Sequence, residues 1–203
     1  MHSSARHVAD ALRERGVTGQ VRELPDPAPT AATAAAQLGC EVGAIANSLV
    51  FSADGAPLLV LTSGAHRVDT GKVALLVGAG RVKRADPGFV REATGQVIGG
   101  VAPVGHPRPL RTLVDRWLDG YDVVWAAAGH PHTVFPTSFA ELVRITGGTP
   151  ADVGAADPAD VRADGAADVQ ADGAADVQAD GAADAAPPGR AARWPRTGPV
   201  GPA

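Results

Sequence analysis

The chain has 203 residues with 45% apolar content, which is enough for one or two globular domains. Residues 1–150 carry fourteen basic and thirteen acidic side chains, and residues 151–203 carry four arginines and nine aspartates, which excludes a global basic field for nucleic acid. The single cysteine, Cys40, excludes an internal disulfide, and no run reaches the roughly 18 apolar residues of a membrane span, so we expect a cytoplasmic protein without membrane contact.

The first three predicted elements are a helix, a strand and a second helix. Residues 3–15 have an amphipathic helical pattern, with Ser3 or Ser4 as the expected N-cap. Residues 17–24 predict a strand, which a run of prolines ends. The alanine-rich residues 30–38 predict a helix that can pack closely against a sheet.

A β-hairpin is predicted next. Residues 45–51 and 58–62 are rich in β-branched and large apolar side chains, and an Asp-Gly pair at residues 54–55 favours a tight turn between them. We expect this hairpin to be the centre of the sheet.

Two short helices with a strand between them follow. Asp69 is expected to cap a helix over residues 70–76. Residues 81–84 predict a short basic strand, and Asp86 before a proline predicts the start of a helix over residues 87–93.

A glycine-rich loop comes after that helix. Residues 96–98 predict a strand that runs into Gly99 and Gly100, and Pro103 stiffens the exit. Glycines lack Cβ, so the backbone amides of this loop can approach a ligand closely or adopt positive φ. Glycine and proline content alone favours a tight turn that binds nothing.

The last predicted elements are a helix, a strand and a helix. Residues 110–118 have apolar side chains at helical spacing, which places Trp117 in the core and not on a base-stacking surface. Residues 122–127 predict a buried strand. Ser138 and Glu141 form a capping box for the final helix.

From residue 150 the composition changes. Residues 163–170 and 171–178 repeat the same eight residues, Ala-Asp-Gly-Ala-Ala-Asp-Val-Gln. With so few apolar side chains, this segment cannot offset its own ordering entropy. We therefore expect one compact domain at residues 1–149 and a disordered tail at residues 150–203.

Several short motifs together resemble one family. The chain is similar to the YbaK-type aminoacyl-tRNA editing domains, which also occur as an insertion in bacterial prolyl-tRNA synthetases, over roughly residues 5–148. The motifs are Ile-Ala-Asn-Ser-Leu-Val-Phe at 45–51, Thr-Ser-Gly at 62–64, Val-Asp at 68–69, Arg-Ala-Asp-Pro at 84–87, Thr-Gly at 94–95, Gly-Gly-Val-Ala-Pro-Val-Gly at 99–105 and Gly-His at 129–130. The resemblance implies an α+β fold, a single domain whose mixed, curved sheet is flanked by helices.

The resemblance also implies an activity, which is hydrolysis of the ester that joins an amino acid to the 3′ end of a mischarged tRNA. The expected partners are a tRNA 3′ end carrying a small or medium amino acid and an aminoacyl-tRNA synthetase, with no DNA, metal or cofactor. The candidate catalytic residues are Gly99, Gly100, Pro103 and His130. The candidate substrate-binding residues are Asn47, Ser48, His66, Arg67, Lys72, Thr94, Val101, Ala102, His106 and Gly129.

These candidates have different chemical roles. The backbone amides of the loop at residues 99–103 can stabilise the carbonyl oxygen as negative charge develops. His130 can transfer a proton near neutral pH, although a histidine in a Gly-His-Pro-His turn is also typical of a surface loop. His66, Arg67 and Lys72 can hold phosphates of the tRNA end or remain solvated surface charges.

The clearest departure from the family is Asn47, since many members carry a lysine at that strand position, facing the pocket. A neutral amide replaces an ammonium that could bind a phosphate or polarise the ester. The resemblance is therefore compatible with two functional hypotheses. The first is an editing hydrolase, and the second is a non-catalytic module that binds tRNA ends or a synthetase. A third hypothesis is an unrelated small-molecule hydrolase. The sequence shows no Ser-His-Asp order or metal cluster to support it.

Overall fold

The sheet is built outward from a central hairpin. In the computed structural model, which describes residues 1–155, strand β2 (Ile45–Ala53) pairs with strand β3 (Ala56–Ser63) along its whole length. The turn has φ of 49° at Asp54 and 90° at Gly55, the left-handed conformation that an Asp-Gly pair favours. The hairpin predicted from the sequence is confirmed.

Six further strands complete an eight-stranded mixed sheet. They are β1 (Arg22–Glu23), β4 (Val82–Arg84), β5 (Arg111–Asp115), β6 (Val124–Ala127), β7 (Thr133–Thr137) and β8 (Thr149–Ala151). The order is β1-β7-β6-β2-β3-β5-β8, and β4 pairs with the far end of β2. The pairs β2–β6, β3–β5 and β5–β8 are parallel, and the others are antiparallel. The sheet is curved and does not close, so the predicted fold class is confirmed.

Five α-helices flank the sheet. They are α1 (Ser3–Glu14), α2 (Ala31–Leu38), α3 (Thr70–Val77), α4 (Pro87–Thr94) and α5 (Phe139–Thr146). Thr30, Asp69, Asp86 and Ser138 cap four of them by accepting a backbone N–H. The caps predicted at Asp69, Asp86 and Ser138 are confirmed, whereas Thr30 was predicted as the first residue of its helix. The predicted serine cap of α1 is wrong, because both serines lie inside the helix and His2 accepts the Ser4 N–H. Within residues 1–155, no helix has the length and apolar character that crossing a membrane requires.

The two faces of the sheet bury different helices. The larger cluster packs Leu59, Leu61 and Val114 against α1 and α5. On the other face, Val60 and Leu113 pack with the α3 side chain Val73. A third, smaller cluster joins α2 to β2, β6 and β7. Successive residues of the central strands therefore contribute to opposite cores, as the alternation of a strand requires.

The prediction of a helix over residues 110–118 is wrong. This segment forms β5 and then a 3₁₀ helix, Arg116–Gly120. Leu113 and Val114 are both buried, but on opposite faces of the sheet, so a fully buried strand gives consecutive apolar residues that also fit a helical period. Trp117 belongs to none of the core clusters and lies half-buried against His66, with ring centroids 4.6 Å apart.

Three strand predictions also need correction. The predicted strand at residues 17–24 is reduced to β1, which has two residues. Residues 96–98 form a turn instead of a strand, because Gln96 is buried while Val97 and Ile98 are exposed. Strand β7 was not predicted at all, since Pro136 interrupts its β-rich pattern.

The fold continues past the predicted boundary at residue 149. Strand β8 pairs with β5, and Val153 behind it is fully buried. The chain then runs beside residues 67–69, where the Ala155 N–H donates to the Arg67 carbonyl at 2.8 Å. The repeated octapeptides of the predicted tail lie outside the described residues.

This continuation gives a stability prediction. A chain that ends at Gly148 is expected to lose about 2–3 kcal/mol of unfolding free energy, because it loses β8 and a fully buried valine. The melting temperature should fall by about 4–12 °C. A chain that ends at Ala155 is the matched control and should melt with the full-length protein in thermal denaturation. Equal melting of both truncated chains would show that β8 adds no stability.

Candidate functional site

The loop that follows α4 is held rigidly from inside. Gly95 ends the helix with φ of 71°. The buried side chain of Gln96 then accepts the Ala102 N–H at 2.7 Å and donates to the Val104 carbonyl at 3.2 Å. Val101, Ala102 and Val104 are buried in the larger core cluster. The Gln96 side-chain amide therefore holds the loop together from inside. The apolar residues of the loop pack into the larger core cluster.

Thr94 belongs to this internal framework. It is fully buried, and its hydroxyl donates to the Val90 carbonyl at 2.7 Å and accepts the Gln96 N–H at 3.0 Å. Both functions of the hydroxyl are thus used inside the protein. This arrangement supports a positioning role for Thr94 and not direct contact with a substrate.

Gly99 and Gly100 are glycines for different reasons. Gly99 has φ of 85°, the left-handed region that favours glycine. Gly100 has no such φ, but a Cβ on it would lie 2.8 Å from the backbone carbonyl carbon and Cα of His130. The second glycine therefore lets the loop dock directly against the backbone of the histidine turn.

Only some backbone amides of the loop remain available. The Gly100 N–H donates to the Val97 carbonyl, and the Ala102 N–H is taken by Gln96. Within residues 1–155, the N–H groups of Gly99 and Val101 have no hydrogen-bond partner. Any donor role of this loop toward a ligand therefore falls to those two groups.

His130 lies in a tight turn at the end of β6. Its carbonyl accepts the Thr133 N–H at 2.9 Å. Gly129 before it has φ of 89°, and a Cβ there would lie 2.9 Å from the Ser4 carbonyl oxygen of α1. Gly129 therefore serves the packing of α1 against the turn. His130 itself remains partly exposed.

The His130 ring stands in a row of three imidazoles. Its centroid is 4.6 Å from that of His2 and 5.5 Å from that of His132. Partial burial, and then the two neighbouring imidazoles, lower the pKa of His130 below its ordinary value. The His132 N–H donates to His130 Nδ1 at 3.3 Å, which leaves the ring proton on Nε2. His130 therefore presents an N–H donor at its free edge.

Asn47 and Ser48 lie on a stretch of β2 with an open edge. Strand β6 pairs with β2 only as far as Ala46, and β4 begins to pair only at Phe51. Consecutive strand residues face opposite sides, so Ser48 shares its face with Ala46 and the loop residues of the larger core. The Ser48 hydroxyl is buried and has no partner among the described residues. Asn47 is exposed on the opposite face, paired across the hairpin with Thr62.

The three residues predicted to hold phosphates are engaged elsewhere or lie apart from the loop. His66 Nδ1 donates to Asp115 Oδ2 at 2.9 Å. Lys72 Nζ donates to Asp152 Oδ2 at 2.6 Å. Arg67 is exposed on the turn after β3, beside the chain at residues 153–155. No contact brings these side chains to the loop of Gly99 and Gly100.

Asp115 is a buried charge that the sequence did not reveal. It is 1% exposed, and its Oδ2 accepts from Thr62, the Ser63 N–H and His66, while Oδ1 accepts the Trp117 N–H. Burial by itself would raise the pKa of Asp115, but the bonds from His66 and the two backbone amides hold it below its ordinary value. Its position at the end of a buried strand run was the available signal.

His106 and Pro103 lie at the far end of the loop, beside a cavity of about 150 Å³. His106 Nε2 donates to the Ala102 carbonyl at 2.9 Å, and burial lowers the pKa of this imidazole. Across the described part of the chain, no three His, Cys, Asp or Glu side chains come together in a way that could hold a metal ion.

The sequence match defines the class of this protein. The family model of the aminoacyl-tRNA editing domain matches residues 25–145, and the chain belongs to that family. The predicted resemblance is therefore confirmed.

The chain is also similar to individual proteins and to solved structures. The chain is 32% identical over 112 residues to a proline–tRNA ligase of Nitratidesulfovibrio vulgaris (strain DP4), covering 55% of this chain and 19% of the ligase. It thus spans about a fifth of the length of that relative. It is 28% identical over 137 residues to the uncharacterized protein YwhH of Bacillus subtilis, covering 67% of this chain and 84% of YwhH. A solved structure of a candidate trans-editing enzyme for prolyl-tRNA synthetase is 44% identical, with a TM-score of 0.73, covering 77% of this chain and 99% of that one.

Proposed function

We propose that this chain acts in trans as an aminoacyl-tRNA deacylase, which hydrolyses the ester of a tRNA mischarged with a small or medium amino acid. Membership of the editing-domain family supports this, as does the 44% identity to the candidate trans-editing enzyme. The observation that carries the proposal is the close approach of the Gly100 backbone to that of His130, beside the N–H groups of Gly99 and Val101, which have no partner within residues 1–155.

The proposed reaction uses those N–H groups to stabilise charge. Attack of water on the ester carbonyl carbon moves negative charge onto the carbonyl oxygen. Donors that are already fixed stabilise this charge without reorganising, and one such donor typically contributes about 10²–10³ in rate. Gly99 and Val101 are held by the Gln96 bonds and the apolar anchors of the loop, so their N–H groups have this preorganised character.

His130 is proposed to act on the leaving group. When the bond between the carbonyl carbon and the ribose oxygen breaks, the proton released by the attacking water passes to that oxygen, so the products are a carboxylic acid and a free hydroxyl and His130 keeps its own proton. The His132 N–H occupies Nδ1 of His130, so the neutral ring donates a hydrogen bond through Nε2, and the lowered pKa of His130 favours that neutral form. The role proposed here is therefore that of a donor, and not of a general base.

Ser48 is proposed to contact the aminoacyl end from the open edge of β2, whereas Asn47, on the opposite face of the strand, takes no part in this contact. A buried hydroxyl without a partner costs free energy, and a polar group of the substrate would satisfy it.

The donor role of His130 can be tested with two substitutions. His130→Ala is expected to lower the deacylation rate about 10²-fold, because the donor is lost. His130→Gln keeps an N–H donor near the Nε2 position, cannot titrate, and should stay within about tenfold of wild type. Rates are measured on one mischarged tRNA from pH 5.5 to 8.5. Equal losses in both variants would contradict the donor role.

A second candidate function is a non-catalytic module that binds tRNA ends or a synthetase, and Asn47 in place of the lysine of many relatives favours it. A panel of mischarged tRNAs decides between the two. Because several relatives are proline–tRNA ligases, tRNA for proline is the first to test. Deacylation of at least one member supports the enzyme. Binding of tRNA with no turnover across the panel would leave only the binding module.

A further inference from the structure

A cavity of about 150 Å³ lies between the far end of the glycine loop and the C-terminal ends of α1 and α5. Its walls are made of eleven residues. They include Arg15, His106 and Arg108. Two arginines and an imidazole are present among them, but there is no carboxylate. This composition favours an anionic ligand.

The arginines beside the cavity remain available to bind an anion. Arg15 Nη1 donates to the Ala11 carbonyl, which uses one of its five N–H groups. Neither Arg15 nor Arg108 forms an ion pair among the described residues. Arg144, which donates to the Arg15 carbonyl, is paired with Glu141 at 3.2 Å. Glu14, next to Arg15 in the sequence, is exposed to solvent. Both guanidinium groups therefore have donors left for a ligand.

The size of the cavity limits what can enter. Pockets for whole drug-sized ligands measure about 300–1,000 Å³, so this cavity is suited to a single small group. A phosphate group is small, anionic and matched to the planar fork of an arginine. The positive charge of the lining residues and the volume of the cavity therefore both favour a phosphate group over a complete nucleotide.

The position of the cavity connects it to the proposed site. Helix α1 starts beside His130, where His2 stacks on the imidazole, and His7 Nε2 donates to the Gly105 carbonyl at 3.1 Å. Arg15 lies just beyond the other end of the helix, about 20 Å away at 1.5 Å per residue. A stacked strand advances about 3.4 Å per nucleotide, so about six nucleotides separate the two places.

We propose that this cavity binds a backbone phosphate of the tRNA acceptor strand, held by Arg15 and Arg108, a few nucleotides before the aminoacylated end. The inference rests on the proposed function, because it takes the ester to lie at the loop beside His130. Arg15 precedes the segment that matches the family, residues 25–145, whereas Arg108 lies within it. It also replaces the phosphate contacts predicted at His66 and Lys72, which bind Asp115 and Asp152 instead.

His106 offers a direct readout of occupancy. Its Nε2 proton is fixed by the Ala102 carbonyl, so Nδ1 is the nitrogen that gains a proton. An anion bound in the cavity favours the protonated ring and raises the pKa of His106. Imidazole NMR titration with inorganic phosphate, and separately with an RNA oligonucleotide of the acceptor strand, measures that rise for each source of phosphate.

The binding experiment uses the full chain and a fluorescently labelled acceptor-strand RNA between 50 and 200 mM salt. The double variant Arg15→Ala/Arg108→Ala is expected to bind about tenfold more weakly. Its salt dependence should be shallower by about two counterions. Arg13→Ala is the matched control, because Arg13 lies on the same helix, is paired with Asp10 and does not line the cavity. It should remain within twofold of wild type.

The outcomes separate this inference from the proposed hydrolysis. Weaker RNA binding by the double variant supports the phosphate contact even if wild type deacylates nothing. With deacylation present, the double variant should show a higher KM at unchanged kcat, and Arg15→Lys/Arg108→Lys should restore the salt slope. Unchanged RNA affinity and slope in the alanine double variant would overturn the inference, including when inorganic phosphate still shifts the His106 pKa.

Discussion

Gly100→Val is expected to lower deacylation at least a thousandfold while most of the secondary structure remains. A Cβ at this position would lie 2.8–2.9 Å from three backbone atoms of His130, and neither backbone can move away easily. The loop must separate from the histidine turn, which displaces the Val101 N–H and the imidazole together. Losing two groups that act on the same transition state explains the large effect. The smaller Gly100→Ala should give an intermediate loss.

The control for this variant is Gly39→Ala. Gly39 ends α2 with φ of 67°, and a Cβ there would meet nothing within 4 Å. This variant carries backbone strain without a clash near the proposed site, so it should lose some stability and keep its activity. Circular dichroism and single-turnover rates on a mischarged tRNA make the comparison. If Gly100→Val kept full deacylation activity, the loop would be a simple turn with no role in the reaction.

Asp115→Asn is expected to be the most destabilising single substitution considered, at about 3 kcal/mol of unfolding free energy. An amide NH₂ in place of Oδ2 cannot accept the Ser63 N–H and the His66 Nδ1 proton, so buried donors lose their partner. The melting temperature should fall by about 6–12 °C. Asp119→Asn, an exposed carboxylate on the following 3₁₀ helix, is the matched control and should change stability by less than about 0.5 kcal/mol.

This prediction has a defined pH dependence. The folded-state pKa of Asp115 lies below its ordinary value of 3.8, so the carboxylate stabilises the fold fully above that pH and loses this effect as the pH falls through the lower folded value. The difference between wild type and Asp115→Asn should therefore shrink as the pH falls below 3.8. Urea unfolding at several pH values measures it. A difference that grows on acidification would contradict the role of the ionised form.

The predictions that succeeded were those in which a few neighbouring residues decide the structure. The hairpin turn at Asp54 and Gly55 and the helix caps Asp69 and Asp86 depend on side chains that bond or bend their own local backbone. The predictions that failed depended on distant partners. Residues 110–118 fit a helix and a buried strand equally well, and only parallel pairing with β3 selects the strand.

The candidate site divides in the same way. The two glycines and His130 were visible in the sequence because a glycine pair and a Gly-His turn are local signals. The reason for Gly100 was not visible, since it is the proximity of a backbone thirty residues further along the chain. Likewise, His66 and Lys72 were available as phosphate ligands until the fold brought Asp115 and Asp152 to them. A cation's partner is set by tertiary contacts, which sequence spacing does not encode.

By itself, the sequence determined the class of fold, the resemblance to the editing family, and the loop and turn that carry the proposed chemistry. Each of these rests on local backbone preferences and on short motifs. Only the tertiary structure decided that β8 completes the sheet, that Ser48 and not Asn47 lies on the sheet face of the larger core cluster, and that Arg15 and Arg108 line one cavity. These outcomes depend on strand register and on which surfaces pack together. The register and the packing are decided together, because both faces of the sheet must be buried at the same time. That requirement depends on contacts throughout the domain.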